Sequence, residues 1–192
     1  MPSRWGCVPL DTEILTKNGW KSKDDIAVSD KVYGFQEGRI IDDKILAINE
    51  YEFDGELIAL SNRSQEQLLT PDHRVLRFGY NSKRDTFYVN KAGALFEAKS
   101  PINVPVAGHT VQDDYAISDD ELRLQASKQE LDINLLRRCS DRQIKLFIDT
   151  YVTEKGNHKR FYVVTPDKQL KDYFQELAVL AGYGTNICEQ KN

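Results

Sequence analysis

The chain has 192 residues, 40% of them hydrophobic, and a formal net charge of −4. That apolar fraction supports a packed core and argues against general disorder; the acidic balance argues against a dedicated nucleic-acid binder, whose affinity would rest on neutralising phosphates. No apolar run approaches the roughly 18 residues that span a bilayer, and residues 1–6 lack the apolar stretch of a signal peptide, so the expectation is a soluble protein with no membrane partner.

Residues 8 to about 106 read as short strands with regular turn signals. Thr12 to Thr16 is rich in strand formers and runs into Asn18-Gly19, a strong hairpin dipeptide. Lys31 to Phe35 and Arg39 to Ile41 flank a turn at Glu37-Gly38, and Ile45 to Phe53 and Glu56 to Leu60 flank Asp54-Gly55. Further strands are predicted at Gln67 to Leu69, Val75 to Phe78, Phe87 to Val89 and Asn103 to Val106. The character changes after Asp113. Ser118 to Glu121 and Ser140 to Gln143 have the spacing of helix capping boxes, and the second opens a helix with Ile144, Phe147, Ile148 and Tyr151 on one face. A strand is predicted at Phe161 to Val164. Thr165-Pro166 then reads as the start of a helix with Leu170, Phe174, Leu177 and Ala181 as its apolar stripe, ended by Gly182 or Gly184.

The three cysteines are Cys7, Cys139 and Cys188. An odd, widely spaced set is neither a disulfide framework nor a zinc signature, and Cys139 and Cys188 read as small buried hydrophobes. No metal or other cofactor is expected. His109 and His158 read as solvated or satisfied side chains, and Asp11 and Thr12 as local strand-starting residues. Taken alone, Cys7 and the distant His73 fit an ordinary packing cysteine and an ordinary histidine as well as a catalytic pair.

Two segments change that reading. Cys7-Val8-Pro9-Leu10-Asp11-Thr12-Glu13-Ile14-Leu15-Thr16, closed by Gly19, resembles the opening block of inteins and related Hint domains, and Leu69-Thr70-Pro71-Asp72-His73-Arg74-Val75 resembles their second block. The blocks stand in the family's order. The resemblance implies an all-β, horseshoe-like Hint splicing domain over residues 7–112, a flanking extein or host segment at 1–6, and a small α+β domain at 113–192. It implies autocatalytic, single-turnover chemistry in the cytoplasm of a bacterial or phage-infected cell. Cys7 sulfur attacks the carbonyl of Gly6, an N-to-S acyl shift that breaks the bond between Gly6 and Cys7 and leaves a thioester. By the same resemblance, His73 contacts and protonates the Cys7 nitrogen, and Thr70 holds His73 or polarises the peptide.

The second region resembles part of a LAGLIDADG homing endonuclease. Leu146 to Gly156 looks like the motif helix, and Phe161 to Val164 with Leu170 to Tyr183 like the strand and helix after it. In that register the family's metal-binding acid is replaced by Lys155, with Glu154 one residue off, next to Gly156. A cation does not ligate magnesium. The implied reading is a decayed remnant, with weak DNA binding at most through Lys155, Lys159 and Arg160. Asn192 follows Lys191 rather than the family's His, and no closing β-block precedes it. The expected partner is therefore a complementary C-terminal intein fragment, as in a phage-type split intein, or the chain is truncated. The alternatives are a DNA-binding or homing endonuclease, a domain that cleaves its N-terminal flank without ligation and, with least support, a conventional cysteine hydrolase.

Overall fold

A computed structural model describes residues 6–62, 65–79, 86–98, 101–154 and 162–187. The first sheet begins with the hairpin β1 (Ile14–Thr16) and β2 (Gly19–Lys21), in which Thr16 faces Gly19. The connecting residues are Lys17 and Asn18, one position earlier than the dipeptide signal implies. Thr16 Oγ1 sets that register: it accepts from the Asn18 amide at 3.1 Å and donates to the Gly19 carbonyl at 2.8 Å. The next hairpin, β3 (Lys31–Gln36) and β4 (Arg39–Lys44), turns at Glu37 and Gly38. Both have positive φ, 49° and 86°, the paired left-handed conformation whose twist matches the flanking strands.

Two further ribbons follow. β5 (Ile58–Ser61) pairs antiparallel with β6 (Glu66–Leu69), and β7 (Arg74–Phe78) with β8 (Phe87–Lys91). Helix α1 (Ala92–Glu97) continues directly from β8. The chain then returns as β9 (His109–Thr110), parallel to β4, completing a five-stranded sheet of order β2-β1-β3-β4-β9.

The remaining described chain is helical: α2 (Asp119–Ser127), α3 (Ile133–Leu136), α4 (Asp141–Glu154) and α5 (Lys168–Leu180). Its capping chemistry was legible in advance. Ser118 Oγ accepts from the Glu121 amide at 3.2 Å. At α4 the box is reciprocal: Ser140 Oγ accepts from the Gln143 amide, and Gln143 Oε1 accepts from the Ser140 amide, both at 3.2 Å. α5 ends in a Schellman motif. Gly182 stands at φ 78°, the Tyr183 amide donates to the Ala178 carbonyl at 2.8 Å, and the Gly182 amide donates to Val179 at 3.2 Å. Its start lies two residues beyond the predicted Thr165: Asp167 is the cap, accepting from the Gln169 and Leu170 amides.

Leu122, Leu136, Ile144, Phe147, Leu177 and Leu180 form a fully buried core, and Ile40 of β4 belongs to it together with half-buried Tyr33 and Phe35. Each such side chain contributes about 1.5–3 kcal/mol of apolar burial. α5 is also tied to the end of α3, beside the first hairpin. Arg137 donates from Nε and Nη2 to the fully buried Glu176 carboxylate at 2.6 and 2.9 Å, behind Gly19. A second, smaller core of Leu69, Val75, Ala92 and Leu95 lies under the two ribbons.

The expected all-β horseshoe followed by a small α+β domain is thereby corrected. Among the described residues the fold is mixed α/β, with short strands in three small sheets and no closed barrel. The helices' apolar faces share a core with the main sheet, and α1 lies inside the segment read as all-β. A long strand pair is also absent among the described residues. Ile45 still exchanges backbone bonds with the 29–30 turn, but residues 46–57 make no backbone–backbone hydrogen bond with other described residues and expose Leu46, Ile48, Tyr51, Phe53 and Leu57. The predicted pairing of 45–53 with 56–60 does not form, because β5 takes β6 as its partner. Asn103 makes a single bridge to Phe78 rather than a strand, and Tyr162 to Val164 are irregular, with Phe161 outside the described residues. No helix among the described residues is long and apolar enough to cross a membrane.

Candidate functional site

Thr70 directly follows β6 and begins the turn Thr70-Pro71-Asp72-His73 that leads into β7. The His73 amide donates to the Thr70 carbonyl at 3.0 Å, with Pro71 at the position whose fixed φ suits the turn. The start of α1 grips this turn from behind. The Ala92 amide donates to the His73 carbonyl at 2.8 Å, the Gly93 amide to the Pro71 carbonyl at 2.9 Å, and Lys91 Nζ to Asp72 Oδ1 at 2.6 Å. A Cβ on Gly93 would meet the Pro71 carbonyl oxygen at 3.3 Å, so the close approach there favours glycine.

The N-terminal segment lies across the front of the same turn. The Cys7 amide donates to Thr70 Oγ1 at 2.8 Å, and the Thr70 amide donates to the Cys7 carbonyl at 3.1 Å. The Thr70 hydroxyl is also directed at that carbonyl, at 3.4 Å. Thr70 is nearly fully buried, whereas Cys7 is half-buried and outside any disulfide. His73 is half-buried against Gly6 and Cys7. Burial holds its imidazole below the usual value, while hydrogen bonding to the backbone of Cys7 and Gly6 pulls the other way. Its Nδ1 is buried without a hydrogen-bond partner among the described residues. A cavity of about 300 Å³ opens beside the ring, lined in part by Val75, Val104, Pro105 and Phe35.

The structure thus brings Gly6, Cys7, Thr70 and His73 to one point. The Cys7 amide is seated on the Thr70 hydroxyl, with the His73 ring against the backbone of Gly6 and Cys7. The supporting residues Lys91, Ala92 and Gly93 were not foreseen as part of the site. Their sequence signal is a pair of small residues directly after a strand, which marks a close backbone approach. The other thiol among the described residues, Cys139, is fully buried, and burial pushes it up to about 11.

The second candidate region is less defined. Glu154 is the last residue of α4, and Lys155, Gly156, His158, Lys159 and Arg160 lie outside the described residues, as do Cys188 and Asn192. His109 Nδ1 lies 3.0 Å from Asp141 Oδ2, linking β9 to the start of α4. Among the described residues no cluster of three or more His, Cys, Asp or Glu side chains could hold a metal ion. Comparison with known protein families, with curated proteins and with solved structures finds no match.

Proposed function

We propose that the chain is the N-terminal part of a protein-splicing element, an intein, whose first step is an acyl shift from the Cys7 nitrogen to the Cys7 sulfur. The observation that carries this reading is the clamp on Cys7: its amide is held by Thr70 Oγ1 at 2.8 Å and its carbonyl by the Thr70 amide, beside an imidazole packed on Gly6. In the shift, Sγ bonds to the Gly6 carbonyl carbon, the carbon–nitrogen bond to Cys7 breaks, and the thiol proton is transferred to the departing nitrogen. His73, kept largely neutral at pH 7 by burial, takes the thiol proton first and returns it to nitrogen as the imidazolium. Thr70 Oγ1 accepts from the amide N–H and holds the scissile peptide in place against the imidazole. The amide is resonance-stabilised and planar, so fixing its orientation against the thiol supplies a large part of the acceleration.

Completion requires a complementary C-terminal fragment. Residues 46–57 support that requirement: no backbone–backbone hydrogen bond to the other described residues holds them, and Leu46, Ile48, Tyr51, Phe53 and Leu57 are exposed. Such a segment suits addition of a strand from a second chain. Mixing the chain with complementary fragments and following mass tests the reading. Cys7→Ala is expected to abolish both the thioester and the spliced product. Normal splicing in that variant overturns it, and a thioester that never yields a ligated product supports N-terminal autocleavage instead.

A further inference from the structure

Gly6 is pressed against the backbone of the catalytic turn. A Cβ built on it would lie 2.2 Å from His73 Cα, 2.8 Å from the His73 nitrogen and 3.0 Å from the Asp72 carbonyl oxygen. None of these is the flexible end of a side chain. The turn has little freedom to retreat, because its far side is bonded to α1 through the Ala92 and Gly93 amides, Ala92 is fully buried, and Gly93 is itself at close contact with Pro71. The requirement is one of space.

We propose that this site accepts only glycine immediately before Cys7, so that the acyl group it transfers is a glycyl group and the host segment it acts on ends in glycine. The proposal rests on Cys7 being the acyl acceptor, and it assigns the selectivity to the Asp72 and His73 backbone. A side chain at position 6 must either lift the scissile peptide off Thr70 Oγ1 or push His73 away from it. An error of about 1 Å in such an arrangement is worth roughly a hundredfold in rate.

The test uses the full chain with Gly6, Gly6→Ala or Gly6→Val, treated with a strong small-molecule thiol, and measures release of residues 1–6 as a thioester by mass spectrometry. The expected result is about a hundredfold slower release for alanine and a larger loss for valine. Rates within threefold of glycine overturn the proposal. A second arm works without chemistry. In Cys7→Ala protein, the ring resonances of His73, His109 and His158 are followed by NMR with Gly6 and with Gly6→Ala. The expected change is a displaced His73 signal and altered His73 titration, with the other two histidines unmoved as evidence of an intact fold. An unmoved His73 overturns the seat. If even the glycine chain releases nothing while His73 still responds to alanine, the splicing reading fails and the steric seat stands.

Discussion

The strand-rich first half and the helical second half bury themselves differently. The helices share one large core with β4, containing Phe147, Leu122, Leu136 and Ile144 at zero exposure. The ribbons around Cys7 rest on four buried residues, Leu69, Val75, Ala92 and Leu95, while Leu46 and Phe96 in the same half are each 76% exposed. The proposed chemistry lies over the smaller core. Its geometry is held by a dense set of backbone and hydroxyl hydrogen bonds between three short segments: 6–7, 70–73 and 91–93. Hydrogen bonds are directional and apolar contacts are not, so a site can be well ordered where little area is buried. The difference predicts that rate and stability can be altered separately.

The largest expected effect falls on rate alone. His73→Ala should slow thiol-induced cleavage between Gly6 and Cys7 by about 10²–10⁴-fold, with the urea midpoint nearly unchanged. The pH dependence carries a sign. Because burial lowers the His73 pKa, the ring is neutral at pH 7, and the rate should fall only on acidification, with a midpoint below the ordinary 6.5. A midpoint above 6.5 would show that a different group sets the limb.

The next effect falls on stability alone. Phe147→Ala removes a fully buried ring from the large core and should cost about 3–5 kcal/mol in urea unfolding. Cleavage measured well below the new midpoint should stay within about threefold of the parent rate if the two regions are energetically independent. A hundredfold loss there would show that the helical half orders the site as well as stabilising the fold.

The smallest effect compares two thiols directly. Cys139 is buried and raised from 9.0 to about 11, so it holds about a hundredfold less thiolate than an ordinary cysteine at neutral pH. Alkylation at pH 7 followed by peptide mapping should label half-exposed Cys7 before Cys139. Equal labelling would mean that the helical core opens readily.

Much of this was legible because the signals are local. The Glu37-Gly38 turn, both capping boxes and the Gly182 stop follow from conformational preferences within four or five residues, and the structure places each where those preferences put it. The proximity of Cys7 and Thr70 across a separation of 63 residues was suggested only by resemblance, not by any local signal. The misreadings have non-local causes. Residues 45–53 have strand composition, but whether a strand forms depends on which edge is available, and β5 pairs with β6 instead. The all-β reading failed for the same reason: alternation predicts which face of a strand is buried but not what covers it, and here helices cover the main sheet.

By itself, then, the sequence determined the short hairpins, most helix starts and stops, and the thiol, hydroxyl and imidazole that the proposed acyl transfer would use. Tertiary structure decided the rest. It sorted the strands into three sheets, laid α2 to α5 on the largest, seated Thr70 Oγ1 on the Cys7 amide, and pressed Gly6 against His73. The physical reason is range. Turns and caps are settled by torsion angles and hydrogen bonds within a few residues, whereas the partner of a strand edge and the space left for a Cβ are set by chain segments that meet only after folding.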